Sequence, residues 1–164
     1  MSAPQDTPRT PPGDPAEAPG GDPRRWYEAG LAFRCTACGN CCRDHGEYAY
    51  VYVSDKDLQG LARHHDLSEE AFLASYCDED EGWTILKRRG DACVLLGDDG
   101  LCTAYEARPK QCATWPFWVD TLRSERAWRE EAKACCPGID QGEVTPADTC
   151  ERIALETEAW YEDE

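Results

Sequence analysis

A chain of 164 residues with 33 acidic against 17 basic residues carries a net charge of −16 and has room for one domain. Such a surface repels phosphate backbones and anionic lipid, so neither nucleic acid nor membrane is an expected partner. Hydrophobic residues make up 41% and mean hydropathy is −0.70, which leaves a thin apolar core that eleven cysteines can reinforce by holding metal.

Seven of the eleven prolines fall within residues 1–24 (Pro4, Pro8, Pro11, Pro12, Pro15, Pro19, Pro23), which reads as a disordered tail ahead of one domain over 25–164. The start, Met1 to Asp6, has neither the basic nor the apolar stretch of a signal peptide, and no apolar run suits a membrane-spanning helix. A cytoplasmic protein follows, in a compartment where clustered cysteines hold metal more often than they pair.

The domain opens at Trp26-Tyr27, with Leu31 and Phe33 leading into a cysteine loop. Tyr48 to Val53 is aromatic and β-branched, a strand. Ser54-Asp55-Lys56-Asp57 forms a capping box before a helix whose inner face is Leu58, Leu61, Ala62 and His65. A second helix starts after Ser68 and turns Phe72, Leu73, Tyr76 and Cys77 inward. His64 and His65 close the first helix, where a cation suits the dipole, and read as structural. Trp83 to Leu86 is a further strand, and Cys93 to Ala104 a hairpin about Gly97-Asp98-Asp99-Gly100. Leu96 should pair with Leu101 and Leu95 with Cys102, which would make Cys93 and Cys102 diagonal neighbours on one face, roughly 7–8 Å apart. Arg108-Pro109 turns the chain toward Cys112 and Trp115-Pro116-Phe117-Trp118. A charged helix spans Asp120 to Ala134 and stops at Cys135-Cys136-Pro137-Gly138. Thr145-Pro146-Ala147-Asp148 opens a last helix with Cys150, Ile153, Ala154, Thr157 and Tyr161 inside. The expected fold is a small α+β domain with short strands and about four helices, stapled by metal on its clustered cysteines.

The chemistry lies in the cysteines. Cys35, Cys38, Cys41 and Cys42 put four thiols into eight residues, with Gly39 and Asn40 between them. A thiol at every third position aims several sulfurs at one centre. Neighbouring Cys41 and Cys42 point apart, which favours more than one metal or a multinuclear cluster. Cys35-x2-Cys38-x2-Cys41 has ferredoxin spacing, and Cys136-Pro137 offers the remote cysteine followed by proline. Cys42 follows at once where a ferredoxin run waits three residues, so zinc, which accepts any tetrahedral set of four thiolates, stays open.

Cys77 and Cys150 lie on apolar faces and read as core. Cys135 suits either role. His45 is a ligand, a proton relay or a surface residue. Trp115, Phe117 and Trp118 either wall off a metal or fill core. Asp98 and Asp99 are turn residues, and no nucleotide, zinc-protease or serine-hydrolase motif occurs.

The combination Phe33-x-Cys35-x2-Cys38-Gly39-x-Cys41-Cys42-Arg43, Cys102-x2-Tyr105-x2-Arg108-Pro109-x2-Cys112, Trp115-Pro116-Phe117-Trp118 and Cys136-Pro137-Gly138-Ile139 resembles the YkgJ-type cysteine-cluster family, over roughly residues 33–142. The resemblance implies a bacterial zinc- or iron-chelating domain without a settled reaction. Its matching cysteines imply Cys35, Cys38, Cys41, Cys42, Cys93, Cys102, Cys112 and Cys136 as metal ligands. The cofactor is then an iron–sulfur cluster of 4Fe–4S type or zinc, the catalytic residues are unknown, and a protein partner is open. Related clusters in flagellin lysine N-methylases imply, as a third reading, an accessory part of a protein-modifying enzyme.

Overall fold

The computed structural model describes residues 25–43 and 50–163. The tail expected over 1–24, His45 and the first residues of the Tyr48–Val53 strand lie outside them. Mixed helices and short antiparallel strands make up the fold, as the α+β reading requires. Among the described residues no helix is long and apolar enough to cross a membrane.

Two small apolar cores carry the molecule. The first gathers around β1 (Leu31–Phe33) and β6 (Ile139–Thr145), which pair antiparallel with Leu31 opposite Thr145 and Phe33 opposite Ile139 across a bulge. Helix α6 (Ala147–Asp163) buries Cys150, Ala154 and Thr157 on the predicted stripe, and the core is completed by Tyr27, Phe117, Leu122 and Trp128. The β6 strand escapes sequence reading because Asp140, Gln141, Gly142 and Glu143 are exposed and poor strand formers.

The second core is built by α1 (Asp55–His64) and α2 (Glu69–Tyr76) over β2 (Cys77–Asp80) and β3 (Trp83–Leu86). Ser54 and Asp57 form the predicted capping box, and Leu58, Leu61 and Ala62 are buried beneath it. The same Asp57 carboxylate accepts the Lys110 N–H at 3.0 Å and so ties α1 to α3 (Lys110–Thr114). Residues 51–53 run beside β3, with Val53 N–H on Thr84 O and Leu86 N–H on Val51 O, both at 2.9 Å. Buried Gln111 holds their other side, accepting from Tyr52 N–H at 2.9 Å and donating to Tyr50 O at 3.0 Å. Cys77 opens β2 instead of closing α2, opposite Leu86, and the three residues that follow it in the strand are acidic, a composition that hides a strand.

Two further expectations need correction. The charged helix over Asp120–Ala134 is divided: α4 (Val119–Leu122) ends at Arg123, and a π-helical stretch (Ala127–Ala132) then runs into α5 (Lys133–Cys135). Ser124 causes the restart, its hydroxyl accepting the Ala127 N–H at 3.1 Å as a cap does. The Cys93–Ala104 hairpin is also one residue out of register. Strand β4 (Arg88–Arg89) pairs with β5 (Ala92–Cys93), the chain turns from Cys93 to Leu96, and Leu96 faces Cys102 instead of Leu101. In a continuous ribbon that slip would put Cys93 and Cys102 on opposite faces. The intervening turn brings Cys93 back.

Candidate metal centre

The thiols collect at the seam between the two cores. Cys136 belongs to the first, Cys93 is buried in the second, and Cys42 and Cys102 pack against the second. Three backbone devices bring their segments together. The cysteine loop leaves β1 at Arg34, whose N–H binds Gly138 O at 3.1 Å. A Cβ on Gly138 would stand 2.0 Å from the Arg34 carbonyl oxygen, so only glycine lets the Cys136 turn approach this closely. At its other end the loop needs Gly39, which has φ of 71° and lies where a Cβ would meet Gly100 O at 2.7 Å. A single 3₁₀ turn (Asn40–Cys42) then presents two thiols, and a bridge between Arg43 and Ala92 lays Cys42 beside β5.

Electrostatics show which thiols sense one another. Cys42 donates its S–H toward Cys41 and Cys102, holding Cys41 down to about 7 and Cys102 to about 6 while its own pKa rises far above the usual thiol range. Burial raises Cys93, and still more Cys112, and the nearby sulfurs add to both. A second neighbourhood joins Cys38 and Cys41 to Cys135 and Cys136; burial pushes Cys135 up to about 12 and also raises Cys136. Cys35, exposed, accepts the Ala37 N–H at 3.4 Å, and its nearness raises the Tyr105 hydroxyl above its usual pKa.

Among the described residues no three His, Cys, Asp or Glu side chains already stand at metal-binding separation. The fit to a metal therefore rests on the donors: soft thiols from four chain segments, several within electrostatic reach of one another, three of them exposed on a short loop.

The family model for CxxCxxCC, described as "Putative zinc- or iron-chelating domain", matches residues 34–137, more than half of the chain. The chain belongs to this family. No solved structure matches it. The matched range holds the eight sequence-assigned cysteines together with Cys77 and Cys135; Cys150, outside it, is fully buried in the first core with its S–H on Thr145 O at 3.5 Å.

Sequence reading left Cys135 open, and the structure places it within electrostatic reach of Cys41, Cys136 and Cys38. Three further residues at the site were missed as such. His64 binds Thr103 O at 2.9 Å and its charge reaches Cys102. The Arg108 guanidinium stacks over the Tyr105 ring, 3.8 Å from its centre, and its charge favours the Cys41 and Cys102 thiolates. Of the aromatic run, Phe117 fills the first core and Trp118 donates to Gln111 O at 3.2 Å, whereas the Trp115 indole N–H lies beside Cys136.

Cys77 is buried in the second core, where burial raises its thiol to about 11. A folded-state pKa above the unfolded one gives stability that is present below about pH 9 and lost as pH rises through the folded value. Between pH 9 and 11 this residue should cost the fold about 2 kcal/mol. Urea unfolding at the two pH values should show a smaller loss in Cys77→Val; equal losses in both proteins would remove Cys77 as the cause.

Proposed function

We propose that this CxxCxxCC protein is a cytoplasmic iron–sulfur protein serving electron transfer or redox maturation. Cys35, Cys38, Cys41, Cys42, Cys93, Cys102, Cys112 and Cys136 supply its thiolates. The ferredoxin spacing of Cys35-x2-Cys38-x2-Cys41 with the remote Cys136-Pro137 carries the choice of cluster over ion, and one structural observation supports a bound thiolate at Cys136. The Trp115 indole N–H is buried with no hydrogen-bond partner of good geometry, and it lies against Cys136, where it favours the thiolate. A buried donor left unpaired costs about 1–3 kcal/mol, so its retention beside sulfur asks for an acceptor there. Iron–sulfur centres accept N–H donors on sulfur and take their potential from them.

When bound, such a cluster supplies a one-electron couple. The chain's own part is to hold the thiols at the seam of two cores, to shield one side with Trp115 and Phe117, and to leave the Cys35–Cys41 loop facing solvent. A protein partner belongs to this reading, because an electron carrier must pass its electron on through that exposed side.

Zinc is the second reading: Cys38, Cys41, Cys135 and Cys136 lie within electrostatic reach of one another, and thiols are the donors that structural zinc takes.

Purification without oxygen separates the two. The first reading expects brown protein with acid-labile sulfide and visible absorption that bleaches with dithionite. Colourless protein with about two zinc ions per chain and no response to dithionite ends it, because zinc is d¹⁰ and has no such couple. Purification in air would not serve, since thiols that lose a cluster collect zinc.

A further inference from the structure

Five aromatic rings stand together outside both apolar cores. Between ring centres, Tyr52 lies 5.4 Å from Trp83 and 6.0 Å from Tyr161. Trp160 lies 4.6 Å from Tyr161 and 6.4 Å from Trp83. Tyr50 adds an exposed ring 6.5 Å from Tyr52, and the other four are half-buried. The rings come from residues 50–52, from β3 and from the end of α6. Trp160 and Tyr161 follow buried Thr157 by three and four residues, so the inner stripe of α6 runs on past the first core and onto these rings. A contiguous aromatic patch of this kind marks a binding surface.

Carboxylates rim the patch. Asp80 stands directly opposite Trp83 in the β2–β3 pair, and Glu81 follows it into the turn. Glu158 precedes Tyr161 by one helical turn. Burial raises the Tyr52 hydroxyl, and the Asp80 and Glu81 charges raise it further. Such a surface suits a ligand that is apolar, extended and cationic.

The chain carries one. Thr7-Pro8-Arg9-Thr10-Pro11-Pro12 holds three prolines, one arginine and no acid, and Pro8-x2-Pro11 puts two prolines on one side of a polyproline II helix. Segments of this type bind aromatic-lined grooves because the helix is preformed. Their carbonyls also stay free to accept from Tyr O–H and Trp N–H groups. The reach is right as well. Arg25 holds Asp148 and, at 2.8 Å, Glu151 on the first turns of α6. From Glu151 to Trp160 that helix rises about 14 Å. Residues 13–24 separate Pro12 from Arg25, and a linker of that length spans about 20 Å.

We propose that the patch of Tyr50, Tyr52, Trp83, Trp160 and Tyr161 is a polyproline-recognition surface whose occupant is residues 7–12 of the same chain. The prolines lie on the rings, and Arg9 faces the rim of Asp80, Glu81 and Glu158. A tether near the matching length supplies a local concentration of about 1 mM, so a dissociation constant of about 0.1 mM leaves the segment docked in roughly nine chains of ten.

The test uses the full-length chain labelled with 5-fluorotryptophan, its six fluorine signals assigned by Trp→Phe substitution. Pro8→Ala, Pro11→Ala and Pro12→Ala are combined in one variant, which changes the segment and leaves the domain alone. Its Trp83 and Trp160 signals should move, while those of Trp115, Trp118 and Trp128 stay in place. A synthetic peptide of residues 5–14 added to that variant should bring both signals back, half of the way at about 0.1 mM. The same peptide with Arg9→Ala should need about twofold to fivefold more.

Trp83 and Trp160 signals that do not move in the variant overturn the inference. So does movement of all six, since the segment would then act on the fold at large. Wild-type signals that shift with protein concentration place a second copy's segment on the patch and overturn the intramolecular assignment. A peptide that restores nothing overturns recognition of this sequence, and equal binding of the two peptides removes the acidic rim from the site.

Discussion

Gly138→Ala should lower the melting temperature by about 10 °C or prevent accumulation of folded protein, whereas Gly60→Ala should raise it slightly. Both replacements add one methyl group, and the difference lies in what it meets. At Gly138 the new carbon would stand 2.0 Å from a backbone oxygen of Arg34, an atom that cannot rotate away, so either β1 or the Cys136 turn must shift. Forcing an extra methyl into packed backbone costs about 3 kcal/mol, and a domain of this size loses roughly 3–4 °C per kcal/mol. At Gly60, within α1, nothing lies within 4 Å, so the substitution carries only its helix-propensity gain of about 1 kcal/mol. Thermal melts of the two variants check the pair. A Gly138→Ala protein as stable as wild type would mean that the Arg34 contact does not hold the cysteine loop to the Cys136 turn.

Stripping metal from the loaded protein should lower its melting temperature by about 12–16 °C. Ligand at a thousandfold over its dissociation constant contributes about 4 kcal/mol, which the scaling above converts. The loss should be selective. Because the thiols lie at the seam, near-UV circular dichroism and hydrogen-exchange protection around the cysteine loop and Cys136 should fall, while α1, α2 and α6 keep their far-UV signal. Cys38→Ser and Cys102→Ser should reproduce this with reduced metal content. Cys150→Ser, at a position fully buried away from the seam, should keep full metal. Equal metal loss in all three variants would overturn the ligand assignment, and a chelated protein that melts as before would overturn the staple.

What was legible in the sequence follows from the range of the forces involved. The capping box at Ser54, the buried stripe of α6 and the Trp83–Leu86 strand are set by local pattern, and all three stand where the pattern puts them. The hairpin register failed by one residue because five residues, 97–101, lie between the paired Leu96 and Cys102, and nothing in Gly97-Asp98-Asp99-Gly100 separates that from a shorter turn. β6 is a polar strand made by a partner far along the chain, and β2, although it turns straight back onto β3, is acidic, so composition argues against both. At the site, spacing alone singled out the cysteines. The placing of Cys135 within reach of Cys38 depends on how distant segments fold together, which no local window contains.

The bond from Arg34 to Gly138 closes a loop of roughly a hundred residues, an ordering cost of about 4 kcal/mol that the polypeptide meets through its own backbone and side chains. During translation the four thiols of the loop emerge first and Cys136 almost last. At about 5–20 residues per second they stand exposed, without their closing partner, for roughly 5–20 s. In that interval the loop is an open set of soft ligands facing whatever metals and oxidants surround the ribosome. The finished arrangement is thus protected early by the composition of the cell around it, and only afterwards by its own walls.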